Sequence, residues 1–323
     1  MFNQKIFFKL IFLFLIFFFI FLATAEITLR FIKPIPPFCK IDLFSYGAEY
    51  QLSSNQQLIY VPKPNSGEFN AYGHRGEEFP FKKTDKKRIL VMGDSVVEGY
   101  KVLVQDRFTE RLGNALGNQF EVINLGVRGY NLLQEFEYFK LLGTKFSPDI
   151  VLWGIAYNDL VLSSGEVYNL NKLMKRIDNN HFYKEYYRAK SQIEKMMMHS
   201  YLYSYIRYLG TLHSKKDFRK TAYYEINMSE ARDLLRQLKE FSRKNNFKLV
   251  FMFLPVNTSE YADKMQLLEG LVKSEGIASL NLNAYFAGRN VKQFFFPGDP
   301  CHLSPQGHLK VAHALYESIE IMK

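Results

Sequence analysis

From residue 87 onward the chain repeatedly sets a short, near-continuous apolar run against a turn of small or polar residues, then an amphipathic stretch. Residues 89–92 stop at Gly93-Asp94-Ser95, residues 120–125 run into Gly126-Val127-Arg128-Gly129, and residues 150–155 run into Ala156-Tyr157-Asn158-Asp159. Strands that are apolar at successive positions are buried on both faces, which requires a parallel sheet covered by helices on each side. The pattern predicts an α/β fold of three layers. Helices are expected over 107–116 with Asp106 as cap and Gly117 as stop, and after Gly129, with Leu132, Leu133, Phe136, Phe139 and Leu142 on one face up to Pro148-Asp149. Further helices are expected over 229–245 and 261–273, and after Ser304 as cap with Pro305 in the first turn. Residues 248–256 and 277–282 read as the remaining strands.

The N-terminus narrows the location. Lys5 and Lys9 precede an unbroken apolar run over 10–23, too apolar for a soluble fold. Ala23-Thr24-Ala25 before Glu26 fits a signal-peptide cleavage site. Residues 6–25 also suffice for a membrane span of roughly 20 residues if Lys9 snorkels to the interface. Arg30, Lys33 and Lys40 follow the run as closely as the lysines precede it, so the charge bias is weak. The anchor is the preferred reading, with cleavage near Ala25, giving a secreted or periplasmic protein, as the alternative. Either way the rest of the chain is expected outside the cytoplasm. The net charge of +10 would ordinarily suggest nucleic acid, but this segment argues against it.

Residues 33–86, rich in Pro, Gly, Ser and Tyr, read as an irregular lead-in that wraps the following domain, residues 87–323. Residues 160–223 interrupt the strand–helix rhythm as a tyrosine-rich insertion with 12 Lys+Arg against 5 Asp+Glu. It is expected to wall the substrate cleft or cap apolar surface, with Lys184, Arg188, Lys190 and Lys195 on a basic face. Cys39 and Cys301 are expected to be unpaired thiols rather than a disulfide framework.

In parallel α/β sheets ligands sit beyond the carboxyl ends of the strands. Ser95, Gly129 and Asn158 each follow a successive expected strand, spaced by 34 and 29 residues, about one strand–helix unit each. Asp299 and His302, three apart in a Pro/Gly-rich loop before the last helix, supply a base for Ser95. The carboxylate can orient one imidazole nitrogen while the other takes the serine proton. The N–H of Ser95, the N–H of Gly129 and the Asn158 amide would form the oxyanion hole. Each piece alone has a blander reading: a turn with a helix cap at Ser95, a cap at Asn158-Asp159, a metal pair or solvated loop at Asp299 and His302. His308 and His313 read as surface or packing residues. No second cluster of His, Cys and carboxylates suggests a metal site, and no cofactor is expected.

Taken together, in order, these blocks resemble the SGNH (GDSL-type) hydrolase family. Gly93-Asp94-Ser95 resembles its first block, Gly129 within INLGVRGYN its second, Asn158-Asp159 its third and Asp299-Pro300-Cys301-His302 its Asp-x-x-His block. Val96 stands where leucine is usual, and Gly154 lies four residues before Asn158 rather than two. The resemblance implies a flavodoxin-like parallel sheet and a serine esterase acting through an acyl-serine intermediate. The implied catalytic residues are Ser95, Asp299 and His302. Expected substrates are small esters, O-acetylated glycans or lipids, with the membrane met through the N-terminal helix. An O-acyltransferase of cell-surface polysaccharide and a non-catalytic envelope binding protein are the alternatives.

Overall fold

The computed structural model describes residues 4–32, 49–55, 57–156, 159, 200, 202–203, 206, 228–257, 259–286, 290–296, 299 and 302–322. Asn158, Cys39 and Cys301 lie outside them, as does the insertion apart from Ser200, Leu202, Tyr203 and Ile206. The chain forms two compact units, Met1–Asp42 with Arg188–Tyr223, and Leu43–Tyr187 with Tyr224–Lys323.

In the first unit, α1 (Gln4–Ile32) is a single helix whose residues 5–32 have a mean hydropathy of 3.0 in their most apolar window. It is long and apolar enough to cross a membrane. It continues through Ala23-Thr24-Ala25, where the Thr24 hydroxyl donates to the Ile20 carbonyl (2.8 Å). Glu26 accepts from Arg30 Nε (2.8 Å), from the Ser200 hydroxyl (2.8 Å) and from the Leu202 N–H (2.9 Å).

The second unit is built on five parallel strands: β3 (Lys87–Met92), β4 (Phe120–Asn124), β5 (Ile150–Ile155), β6 (Lys248–Phe253) and β7 (Ala278–Asn281). Their order, β4-β3-β5-β6-β7, is that of flavodoxin-like sheets. The α/β class expected from the apolar runs is the one observed. Successive side chains point to opposite faces, so each strand feeds two cores. Leu90, Met92, Val151 and Trp153 join one core, with Phe136 and Phe139 of α4 (Leu132–Leu141), Leu235 of α5 (Met228–Lys244) and Leu268 of α6 (Ser259–Ser274). Ile89, Val91 and Leu152 join the other, with Leu112 of α3 (Phe108–Leu116) and Leu315 of α7 (Pro305–Met322). Each fully buried Leu, Ile or Phe contributes about 1.5–3 kcal/mol, so both faces need their helical cover.

Three local expectations need correction. Asp106 does not cap α3; it lies in a 3-10 turn and pairs with Arg111 (2.7 Å), while Arg107 occupies the cap position without a side-chain bond. The helix after Gly129 ends at Leu141, before Pro148, and starts on a capping box in which Asn131 and Gln134 bond reciprocally. The lead-in is not wholly irregular, since β1 (Tyr50–Leu52) and β2 (Tyr60–Pro62) pair antiparallel. Tyr50, Tyr60 and Phe69 are buried there, enough apolar surface to order a short ribbon against the larger core.

Candidate active site

The turn after β3 is shaped by steric demand. Gly93 has φ 154°, and a Cβ there would lie 2.2 Å from Val97 Cγ2. Asp94 accepts from the Val96 N–H (2.8 Å), which starts the short helix α2 (Ser95–Glu98), and Gly99 closes it in the left-handed region. Ser95 is thereby the first residue of a helix set at the carboxyl edge of a central strand, with its hydroxyl half-buried. Gly126, in the loop after β4, packs so closely that a Cβ would lie 2.3 Å from the Glu98 nitrogen. That contact fixes the height of α2 above the sheet.

The partner loop folds back on itself. Phe295 and Leu303 form an antiparallel bridge, and the Ser304 N–H donates to the Phe294 carbonyl (2.9 Å). Asp299 and His302 are held at its tip, both buried. Ser95 Oγ lies 2.9 Å from His302 Nε2, and His302 Nδ1 lies 3.0 and 2.9 Å from the two Asp299 oxygens. The His302 N–H also donates to Asp299 Oδ1 (2.9 Å), and Asn257 donates to the Asp299 carbonyl (2.9 Å). Burial alone would raise the Asp299 carboxyl, but the hydrogen bond and charge of His302, with Lys101, hold it well below the usual carboxylate range.

Of the three expected oxyanion donors, Ser95 begins α2 and Gly129 sits in a left-handed turn (φ 77°) beyond β4. Asn158 lies outside the described residues. Its neighbour Asp159 is buried and accepts from the Ala156 N–H (2.5 Å), which closes the turn after β5. His308, expected at the surface or in packing, is a packing residue: its ring stacks on Phe108 and Nδ1 accepts from the Phe108 N–H (3.2 Å). Burial pushes its pKa down to about 3, so it packs there as neutral imidazole. His313 is exposed. Among the described residues no group of three or more His, Cys, Asp or Glu side chains is placed to hold a metal ion.

Sequence reasoning missed a ring of charged residues around the serine. Lys101 Nζ contacts Asp299 Oδ2. Tyr100 sets its ring edge-on to His302 (5.3 Å) and beneath the Arg128 guanidinium (4.6 Å). Arg128 is paired in turn with the wholly buried Glu98 (2.5 Å). Arg75, from the lead-in, donates to the carbonyls of Gly99 (2.6 Å) and Val102 (2.7 Å), and Arg107 donates to that of Glu98 (3.2 Å). The lead-in therefore orders the loop beside the serine. The sequence carried one signal of this, four charged positions (Glu98, Lys101, Asp106 and Arg107) within the twelve residues after Ser95.

No protein-family profile matches the chain, and no curated protein matches it. Solved structures do. A lipase/acylhydrolase from Enterococcus faecalis is 14% identical at TM-score 0.46, over 72% of this chain and 95% of that one. A member of the lipolytic G-D-S-L family from Veillonella parvula is 11% identical at 0.44, over 72% and 98%. A GDSL-like lipase from Bacteroides thetaiotaomicron is 15% identical at 0.44, over 73% and 89%.

Proposed function

We propose that the protein is a serine esterase, held in a membrane by α1, that cleaves acyl esters outside the cytoplasm. The observation that carries this reading is the Ser95–His302–Asp299 chain of contacts, 2.9 Å from Ser95 Oγ to Nε2 and 2.9 Å from Nδ1 to the nearer carboxylate oxygen. A serine hydroxyl is barely acidic at neutral pH and needs such a base. As Oγ attacks the ester carbonyl, its proton passes to His302 Nε2. Asp299 stabilises the imidazolium and fixes the tautomer. The tetrahedral oxyanion would be met by the N–H groups of Ser95 and Gly129 and by the Asn158 amide. His302 then returns its proton to the leaving alcohol, leaving an acyl-serine. Water, deprotonated by the same imidazole, releases the acid. O-acetylated glycans and lipid-like esters are the substrate classes that suit an enzyme held at a membrane.

The test is turnover of p-nitrophenyl esters of graded chain length by the full-length protein in detergent, beside Ser95→Ala and His302→Ala. Both variants should keep at most ~10³-fold acceleration over water. A fluorophosphonate should label the unmodified protein and not Ser95→Ala. Asn158→Ala should lower kcat by about 10²–10³-fold through loss of an oxyanion donor. Adding a polyol acceptor separates hydrolysis from acyl transfer by the products formed. Wild-type turnover by Ser95→Ala would end the serine reading.

A further inference from the structure

Lys101 is an anomaly on three independent counts. Its backbone is in the left-handed region (φ 77°), which a side chain bearing a Cβ rarely occupies. Its ammonium is almost fully enclosed, with the side chain only 5% exposed. Burying a lysine costs free energy unless its charge is matched. The match is Asp299, the carboxylate that also carries His302. Backbone strain of this kind persists only where the surroundings impose it, and it clusters at working sites.

The surroundings here are explicit. Arg75, itself paired with Glu68 (2.6 Å), grips the carbonyls of Gly99 and Val102 on either side of Lys101. Arg107 lies against Gly99 so closely that a Cβ there would come within 2.4 Å of its side chain. The rings of Tyr100 and Phe296 flank the ammonium, each centroid 5.5 Å from Nζ. Two buried arginines thus hold a strained loop whose product is one enclosed cation on the carboxylate behind the histidine.

Resting on the serine-esterase reading, we propose that Lys101 is a positioning residue of this site: it clamps the Asp299 carboxylate against His302 and offsets part of its charge, so that His302 works as a base in more acidic surroundings. An unopposed carboxylate stabilises imidazolium strongly, and a histidine that is already protonated cannot accept the serine proton. A fixed positive charge on the same carboxylate weakens that pull. The other groups facing the imidazole do not duplicate it. Asp94, its Oδ2 3.4 Å from Ser95 Oγ, adds negative charge. Arg128 reaches Tyr100 but is matched by Glu98, and His308 is neutral.

The experiment is the rate of fluorophosphonate labelling of Ser95 against pH, which reads the serine–histidine pair without a substrate-binding step, together with kcat and KM for a small soluble ester. It is run on the full-length protein and on Lys101→Met, Lys101→Gly and Lys101→Arg. Lys101→Gly suits the left-handed backbone, so it removes the cation without straining the loop. Lys101→Met and Lys101→Gly should move the acid limb of labelling and of kcat/KM up by about two pH units, the size of a unit charge acting over roughly 6 Å at an effective dielectric near 20. Near neutral pH kcat should fall about tenfold with KM within twofold, and Lys101→Arg should restore the limb. An unchanged acid limb in folded Lys101→Gly overturns the proposal, as does loss of the fold in that variant, which would make the lysine a structural prop. Failure of the unmodified protein to label at Ser95 is a different result; it removes the serine reading itself.

Discussion

Glu135 and Asp159 are buried carboxyls with no cation in contact among the described residues. Trp153 Nε1 donates to one Glu135 oxygen (2.5 Å), and the Ala156 N–H donates to one Asp159 oxygen (2.5 Å). Among the described residues the second oxygen of each has no donor from another group. Burial raises both carboxyls well above their usual range; the Asp94 charge adds to this for each, and Glu135 does so for Asp159. Two carboxylates in one apolar site do not both ionise, so one proton stays between them. The sign follows from linkage. A carboxyl whose folded value lies above its unfolded value of about 4 contributes stability that is complete below that value and is lost as pH rises through the folded one. Thermal unfolding of the full-length protein should therefore weaken from mildly acidic to alkaline pH, and Glu135→Gln should flatten that decline. Parallel curves for the two proteins would rule out the shared proton. Neither residue was legible in the sequence as a pair, because they sit on α4 and beyond β5 and only the fold brings them together. Ser95, Asp299 and His302 were legible as a set because their types, their order, the strand-end place of Ser95 and the loop before the last helix that holds Asp299 and His302 coincide. Lys101 was not, because its partner is 198 positions away and neither local spacing nor composition links them.

The elements that carry the site were easier to read than their ends. β5 matches the apolar run 150–155, and β3 overlaps residues 89–92 but starts at Lys87. Its early start is invisible in the sequence because Arg88 looks like a solvated flank. In the structure Arg88 is wholly buried, bonded to Glu121 (2.6 Å) and to the carbonyls of Pro80 (2.7 Å) and Phe146 (2.8 Å). The caps also misled, since Asp106 satisfies Arg111 rather than the helix end, and a side-chain partner five residues on outcompetes a cap. Gly126 shows what spacing cannot tell: the second block offers two glycines, and each serves a different need. Gly129 takes a left-handed turn, whereas Gly126 lets β4's loop meet the backbone of α2. Gly126→Ala would place a Cβ 2.3 Å from the Glu98 nitrogen and 2.8 Å from the Val97 carbonyl carbon, against backbone that cannot swing aside. It should displace α2, lower esterase kcat by more than about tenfold and reduce stability by about 1–3 kcal/mol, as overpacking does. Circular dichroism melts and ester kinetics on that variant check it; full activity would show that the loop, not the serine helix, gives way.

At the scale of the whole molecule, α1 is the element on which the proposed location of the chemistry rests. At 1.5 Å per residue its 28 apolar-rich residues are roughly 42 Å long, against a hydrocarbon core of about 30 Å. A span over residues 6–25 leaves Lys5 at one boundary, with Lys9 one turn inside and able to snorkel to it, and the Glu26–Arg30 pair at the other, where charge is tolerated. Glu26 does more there than end the apolar run. It holds the Ser200 hydroxyl and the Leu202 N–H, and Ser200 Oγ in turn accepts from the Tyr203 N–H (3.1 Å). The helix also passes through Ala25 to Ile32 without a break, whereas cleavage requires the chain there to be accessible in an extended form. The proposed reading is therefore a retained anchor rather than a removed signal. Intact-mass measurement of the protein purified from membranes should therefore find residues 1–25 still attached, and an alkaline wash should leave it in the membrane fraction. Protease added to the outer side should digest the chain beyond about residue 33 and spare α1. A mature chain that begins at Glu26 would replace the anchor with a cleaved signal while keeping the export, and recovery of the intact chain from the cytoplasm would remove both.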